Sequence, residues 1–226
     1  MSLGDNTFVA VGDVHGCALS LERLIVKMEN AWSRNPVYVF LGDYTDRGPD
    51  SKGVVDQLIE FNKTHECIFL RGNHDKMLLD AYEEGDWRIW LANGGVSTLK
   101  SYNSEPGDFK LPKAHYNFFS NTKLWWDTSE YFFVHGGLNP DKTIKENLES
   151  EQEKELFLWQ RAHINASSVN WEKTVVFGHT PVKTPIIETK RIGLDTGCVY
   201  KESGMGILSA ASLPELDFII QNCVDF

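Results

Sequence analysis

An α/β architecture with parallel strands follows from three features of this 226-residue chain. Five short runs rich in β-branched and aromatic residues, at 8–11, 37–41, 67–70, 131–134 and 174–177, lead into glycine or histidine, the pattern of buried strands that end in turns. Apolar residues at helical spacing lie between the first two runs (Leu21, Leu24, Ile25, Met28) and before the third (Val54, Val55, Leu58, Ile59). Small polar motifs gather just past the carboxyl ends of the runs, where open α/β sheets collect ligands.

Taken along the chain, the opening reads strand-helix-strand-helix-strand, because parallel strands need a crossover long enough to hold a helix. Residues from about 76 to 126 carry Trp87, Trp90, Trp125 and Trp126 among helical stretches, with a break at 104–107. They predict a mostly helical segment whose tryptophans pack against the sheet, a substrate-contacting wall being the other reading. The densely charged run 146–155 predicts a solvated helix face. Beyond Pro185, the stretches 186–189, 193–197 and 206–210 look like short strands joined by turns and predict a second sheet. No repeat, low-complexity tract or linker divides the chain, so one domain over residues 1–226 is expected.

Hydrophobic residues at 42% and charged residues at 24% fit a soluble globular chain rather than a disordered or fibrous one. A formal charge of −10 argues against nonspecific binding to nucleic acid or to an anionic membrane surface, since both need a basic face. No apolar stretch approaches the roughly 18–20 residues that span a bilayer, and no charged segment followed by a long apolar one opens the chain. Cys17, Cys67, Cys198 and Cys223 show no zinc-type pairing, and a reducing cytoplasm is the expected location. Cys17 reads as a small buried filler rather than a reactive thiol. Met1-Ser2-Leu3 reads as an expression leader.

The chemistry lies in five segments: Gly12-Asp13-Val14-His15-Gly16, Gly42-Asp43-Tyr44-Thr45-Asp46-Arg47-Gly48, Gly72-Asn73-His74-Asp75, His135-Gly136-Gly137 and Gly178-His179-Thr180. Two divalent cations about 3.5–4 Å apart call for mixed carboxylate, amide and imidazole ligands, with one carboxylate between them. Asp13 and His15 are candidates for the first ion and Asp43 for the bridge, while Asn73, His135 and His179 complete the second. Water between the ions would lose a proton near neutral pH and supply the attacking hydroxide. His74, adjacent to Asn73, is placed to protonate the leaving oxygen, and Asp46 to orient His74. Arg47 offers a planar fork for phosphate oxygens, with Asn73 as a further phosphate contact. This set describes a two-metal phosphoesterase acting by direct attack without a phosphoenzyme. His65, His115 and His163 have no such context and read as structural or surface residues.

These segments, in this order, resemble the metal-dependent phosphoprotein phosphatases, a calcineurin-like metallophosphoesterase family. The similarity is closest to the lambda-type bacterial and phage enzymes, because it extends to Trp90-Leu91-Ala92-Asn93-Gly94-Gly95, Trp159-Gln160-Arg161, Phe177-Gly178-His179-Thr180-Pro181 and Asp195-Thr196-Gly197. The resemblance implies a β-sandwich flanked by helices, with a dinuclear site at strand-end loops. It implies Arg161 as a second phosphate clamp and manganese as the activating ion in vitro, with iron or zinc as other occupants. The implied substrates are phosphoserine, phosphothreonine and phosphotyrosine proteins or peptides. Asp75 stands where eukaryotic members carry Glu, a variant shared with bacterial phosphatases and symmetrical diadenosine tetraphosphatases, so symmetrical hydrolysis of a dinucleoside polyphosphate such as diadenosine tetraphosphate, or of another nucleotide, is the alternative. A non-catalytic metal-binding interaction module is a further alternative, opposed by the intact Asp46, His74 and arginines. After Tyr200 the chain reads Lys201-Glu202-Ser203-Gly204 where many relatives have a Gly-Gly pair, which implies a differently shaped loop.

Overall fold

The computed structural model describes residues 7–32 and 35–226; the leader-like Met1-Ser2-Leu3 lies outside them. Ten strands occur among these residues: β1 (Phe8–Val11), β2 (Val37–Phe40), β3 (Cys67–Phe69), β4 (Trp125–Asp127), β5 (Tyr131–Val134), β6 (Thr174–Phe177), β7 (Ile186–Glu188), β8 (Arg191–Gly193), β9 (Ile207–Leu213) and β10 (Phe218–Asn222). They form two five-stranded sheets, ordered β10-β9-β1-β2-β3 and β4-β5-β6-β8-β7. Both sheets are mixed. β1, β2 and β3 are parallel, as are β5, β6 and β8, and the remaining pairings are antiparallel.

Period-two side-chain alternation explains why each central strand reads as an unbroken apolar run. Phe8 and Ala10 of β1 meet Val37, Val39, Phe133, Val176 and Ile192 between the two sheets. Val9 and Val11 face the other way, into a cluster with Leu21, Leu24, Val54 and Leu58 from α1 (Ala18–Ala31) and α2 (Ser51–Phe61). Phe132, Val134, Val175 and Phe177 turn outward from the second sheet onto Phe157 and Trp171. Strands covered on both faces need apolar residues at every position. Helix starts are chemically marked: the Asp50 carboxylate accepts the Gly53 N–H at 2.8 Å and caps α2.

Several boundaries differ from the sequence reading. The helical middle consists of α3 (Asn73–Glu84), α4 (Arg88–Trp90), a π-turn at Leu91–Gly95, α5 (Val96–Ser101) and α6 (Lys113–Ser120). Trp125 and Trp126, expected in that segment, instead belong to β4. The second sheet does not start beyond Pro185: β4, β5 and β6 already belong to it, and β9 and β10 return to the first sheet beside β1. Of 193–197 only Gly193 is in a strand; the rest is loop. Sheet membership is a long-range pairing choice, and locally similar apolar runs do not encode their partners. The charged run 146–155 forms two short helices, α7 (Ile144–Glu149) and α8 (Glu151–Leu156), and most of its acidic side chains whose exposure is described are solvated. No helix among the described residues is long and apolar enough to cross a membrane.

His163 is buried rather than superficial, edge-on to Phe177 at 4.4 Å between ring centroids, with neither ring nitrogen hydrogen-bonded among the described residues. Burial, helped by Arg191, lowers its pKa to about 4. A folded pKa below the unfolded value of about 6.5 means that protonation favours the unfolded chain. Stability is therefore complete above about pH 6.5 and declines as pH falls toward 4, by on the order of 2 kcal/mol between about pH 7 and 5. Urea unfolding at the two pH values should show this decline, and His163→Phe should reduce it; an unchanged pH response in the variant would assign the loss elsewhere.

Candidate active site

Every strand-end motif lies at the same edge of the sandwich. The loop after β1 is bonded to the loop after β2, with Val14 and His15 N–H donating to Asp43 O at 3.2 and 2.8 Å and Gly16 N–H to Tyr44 O at 2.9 Å. The loop after β6 joins them where His179 N–H donates to the Asp13 carboxylate at 3.0 Å. Five site residues, His15, Asp43, Asp46, Arg47 and His179, have φ between 46° and 73°, a conformation that costs non-glycine residues about 1 kcal/mol or more and persists only where surroundings enforce it. Two glycines permit the close approach: a Cβ on Gly72 would sit 2.0 Å from Asp43 Oδ1, and one on Gly178 would sit 2.1 Å from Asp13 Oδ1.

Two donor sets share one residue. His15, Asp43 and His74 offer atoms within 4.8 Å of one another, and so do Asp43, His135 and His179. Asp43 Oδ2 is 3.3 Å from His15 Nε2, and Oδ1 is 3.4 Å from His135 Nε2. Asn73 Oδ1 is 3.0 Å from His135 Nε2 and 2.9 Å from His179 Nδ1, so the amide and the imidazoles converge on one point. Asp13 is buried beside these groups but is in neither three-residue set; its oxygens are aimed at the His179 backbone.

The histidines divide electrostatically. Burial lowers the pKa of His15 to about 3 and of His179 to about 2, and also depresses His135, which keeps these rings neutral, the form that ligates metals. At His74 burial pulls the same way, but the Asp43 and Asp46 carboxylates outweigh it and raise the pKa. His74 Nδ1 is 2.8 Å from Asp46 Oδ2. Asp46 would still hold the imidazolium proton where bound cations offset the Asp43 charge. Asp46 is itself fixed by donors that the sequence motifs did not assign: Trp90 Nε1–H reaches its two oxygens at 2.9 and 3.0 Å, and Thr98 Oγ1–H reaches Oδ1 at 2.7 Å. Trp90 therefore packs on Phe109 with its ring and positions the site with its N–H. The hydrophobic count of the segment hid that donor; its place in the Trp90–Gly95 stretch was the available signal.

Asp75 packs beneath the site rather than in the cleft wall. It is fully buried, and its carboxylate accepts N–H bonds from Gly72 at 2.9 Å, Asp43 at 2.9 Å and Tyr44 at 3.1 Å. It caps α3 and clasps the Asp43 loop, away from the cleft wall. Burial and the Asp43 charge raise its pKa to about 7. Asp195, also unassigned by the sequence, is 2% exposed, and burial raises it to about 7. Burial, with repulsion from Asp195 and Asp43, lifts Asp13 well above the usual carboxylate range.

Above Asp43 opens a cleft of about 120 Å3 walled by Arg47, Asn73, His74, Trp159, Arg161, His179 and Tyr200. Arg47 and Arg161 enter from opposite loops, within 2.6 Å of His15 Nε2 and 3.1 Å of His179 Nε2 respectively. Tyr200 lies under the Arg47 guanidinium, 5.5 Å from it, and Trp159 is 46% exposed at the rim.

A profile of the calcineurin-like phosphoesterases matches residues 7–220, and the chain belongs to that family of dinuclear metallophosphoesterases. The donor set fits a pair of cations: buried carboxylates that repel one another, neutral imidazoles and an amide oxygen surround Asp43, and positive charge would relieve the repulsion. Among individual proteins, the chain is 26% identical to bis(5'-nucleosyl)-tetraphosphatase PrpE (asymmetrical) of Anoxybacillus flavithermus, over 92% of this chain and 91% of that one. It superposes with a TM-score of 0.66 on a protein provisionally described as a diadenosine tetraphosphatase, at 22% identity and covering 98% and 96% of the two chains. The cold-active protein-tyrosine phosphatase of a Shewanella species gives the same TM-score at 18% identity, covering 99% and 80%.

Proposed function

We propose that the chain hydrolyses dinucleoside tetraphosphates asymmetrically, adding water across one phosphoanhydride to release a nucleoside triphosphate and a nucleoside monophosphate. One observation carries this reading: exposed Trp159 and half-buried Tyr200 flank a cleft that two arginines make phosphate-attracting. At about 120 Å3 the cleft suits a phosphoryl group, which leaves nucleosides on the rim, where aromatic faces can stack on bases. The name of the Anoxybacillus relative supports the same substrate class.

Asp13, His15, Asp43, Asn73, His135 and His179 would hold the ions, with manganese as the activating metal. Bound ions neutralise phosphoryl charge and acidify water for attack. Arg47 and Arg161 grip the phosphoryl oxygens from two sides, with Asn73 beside them, and fix the reacting phosphoryl group in line. His74, held by Asp46, gives its proton to the departing oxygen. One profile spanning 7–220 supports a single domain, and four free thiols support a reducing cytoplasm.

A second reading, hydrolysis of phosphoserine, phosphothreonine or phosphotyrosine in proteins by a lambda-type phosphatase, is favoured by the buried Asp46–His74 pair. Such an acid matters most for a poor leaving group. Diadenosine tetraphosphate and a phosphopeptide, assayed with manganese under one condition, separate the two. We expect higher kcat/KM on the dinucleotide, ATP and AMP as products, and a several-fold rise in its KM in Trp159→Ala with little change for nitrophenyl phosphate. Preference for the phosphopeptide would reverse the assignment, and two ADP would make the cleavage symmetrical.

A further inference from the structure

Away from the dinuclear site, Cys17, Cys198 and Cys223 converge on one buried point. Their three Sγ atoms lie within 4.8 Å of one another, and the residues are 0%, 2% and 5% exposed. Cys17 immediately precedes α1, Cys198 follows Asp195-Thr196-Gly197, and Cys223 directly follows β10. Cys67, in β3, is outside the cluster.

Backbone contacts fix this meeting point independently of the sulfurs. Cys223 N–H donates to Gly206 O at 2.8 Å, Val224 N–H to Ser20 Oγ at 3.0 Å, and the Asp225 carboxylate accepts Leu19 N–H at 2.8 Å and Ser20 N–H at 3.1 Å on the first turn of α1. The chain end is thereby pinned against the loop that bears His15. An acidic oxygen comes with it: Asp225 Oδ2 is 3.8 Å from Cys223 Sγ.

We infer that Cys17, Cys198 and Cys223 form a second metal site, distinct from the carboxylate–imidazole centre and selective for a thiophilic d10 cation such as zinc. Three sulfurs bound to one zinc at about 2.3 Å stand roughly 4 Å apart, within the span of this cluster. A disulfide would draw two of them to about 2.05 Å and leave the third unpaired. All-sulfur donors disfavour manganese and magnesium, which take oxygen ligands, so the two sites would sort their metals by donor type. An ion there would tie together the His15 loop, the loop that ends at Tyr200 in the cleft wall, and the chain terminus.

Cadmium is the probe, because its bonds to sulfur give a charge-transfer absorption that carboxylate and imidazole ligands do not. Full-length protein saturated with manganese is titrated with cadmium and followed by ultraviolet absorption and native mass spectrometry. We expect a single thiolate-bound cadmium per chain, a band that persists in Cys67→Ser, and its loss in Cys198→Ser; Cys223→Ala, at the chain end, gives the same readout if Cys198→Ser does not fold. No charge-transfer band in the wild-type protein, or one that survives both Cys198→Ser and Cys223→Ala, would overturn the assignment, and the wild-type measurement needs no variant to decide it.

Discussion

Asp43→Asn should reduce turnover on every phosphoester by about a thousandfold or more, the scale on which losing charge stabilisation at the reacting centre acts. Asp43 is the one residue common to both donor sets. Burial opposes its ionisation, yet His135, His74, His15 and His179 together hold its pKa well below the usual range. The asparagine keeps the shape and the Oδ1 that accepts His74 N–H at 3.0 Å but removes the negative charge, so metal retention should fall with activity. Repulsion of Asp75 and Asp13 by Asp43 disappears as well. The depressed pKa of Asp43 means that its charge stabilises the fold at neutral pH, so the metal-free variant should unfold at or somewhat below the temperature of the metal-free parent, the relief of that repulsion offsetting part of the loss. Metal content by mass spectrometry and thermal unfolding give the two readouts. A variant with full metal content and activity within tenfold of the parent would remove Asp43 from the shared position.

His74→Asn should cost about 10²–10⁴-fold, the usual range for a general acid, but only where the leaving group needs a proton. Phosphoserine peptides should suffer the full loss, while nitrophenyl phosphate and a nucleotide phosphate, which leave as stable anions, should suffer much less. The pH dependence has a definite sign. An acid catalyst works while protonated, and the raised His74 pKa extends activity on poor leaving groups upward before it falls as pH rises through that pKa. Asp46→Asn removes the carboxylate 2.8 Å away and should shift that fall to lower pH. Equal losses for serine and nitrophenyl esters would show that His74 positions groups rather than donating a proton.

The site was more legible than the sheets that carry it, for a physical reason. Asp13, His15, Asp43, Asn73, His74, His135 and His179 each follow a short apolar run, and a strand that ends in a polar turn fixes locally where its next residues point. The structure gathers all seven at one edge without their spacing having specified any distance. Pairing is different: 206–210 and 174–177 look alike as apolar runs, yet β9 lies beside β1 and β6 lies in the opposite sheet. That choice depends on which faces remain to be covered once the whole chain has collapsed.

From the residues alone came the α/β character, the helical middle, the family resemblance and the donor types, because local periodicity and side-chain chemistry determine these. Tertiary structure alone decided which sheet each strand joined, and that Trp90 and Thr98 hold Asp46. It also showed that Asp75 clasps the backbone instead of facing substrate, and that cysteines 181 positions apart by number, from Cys17 to Cys198, share one buried point. Each of these depends on a contact between segments remote in sequence, where neither propensity nor spacing carries information and only burial of both partners fixes the outcome.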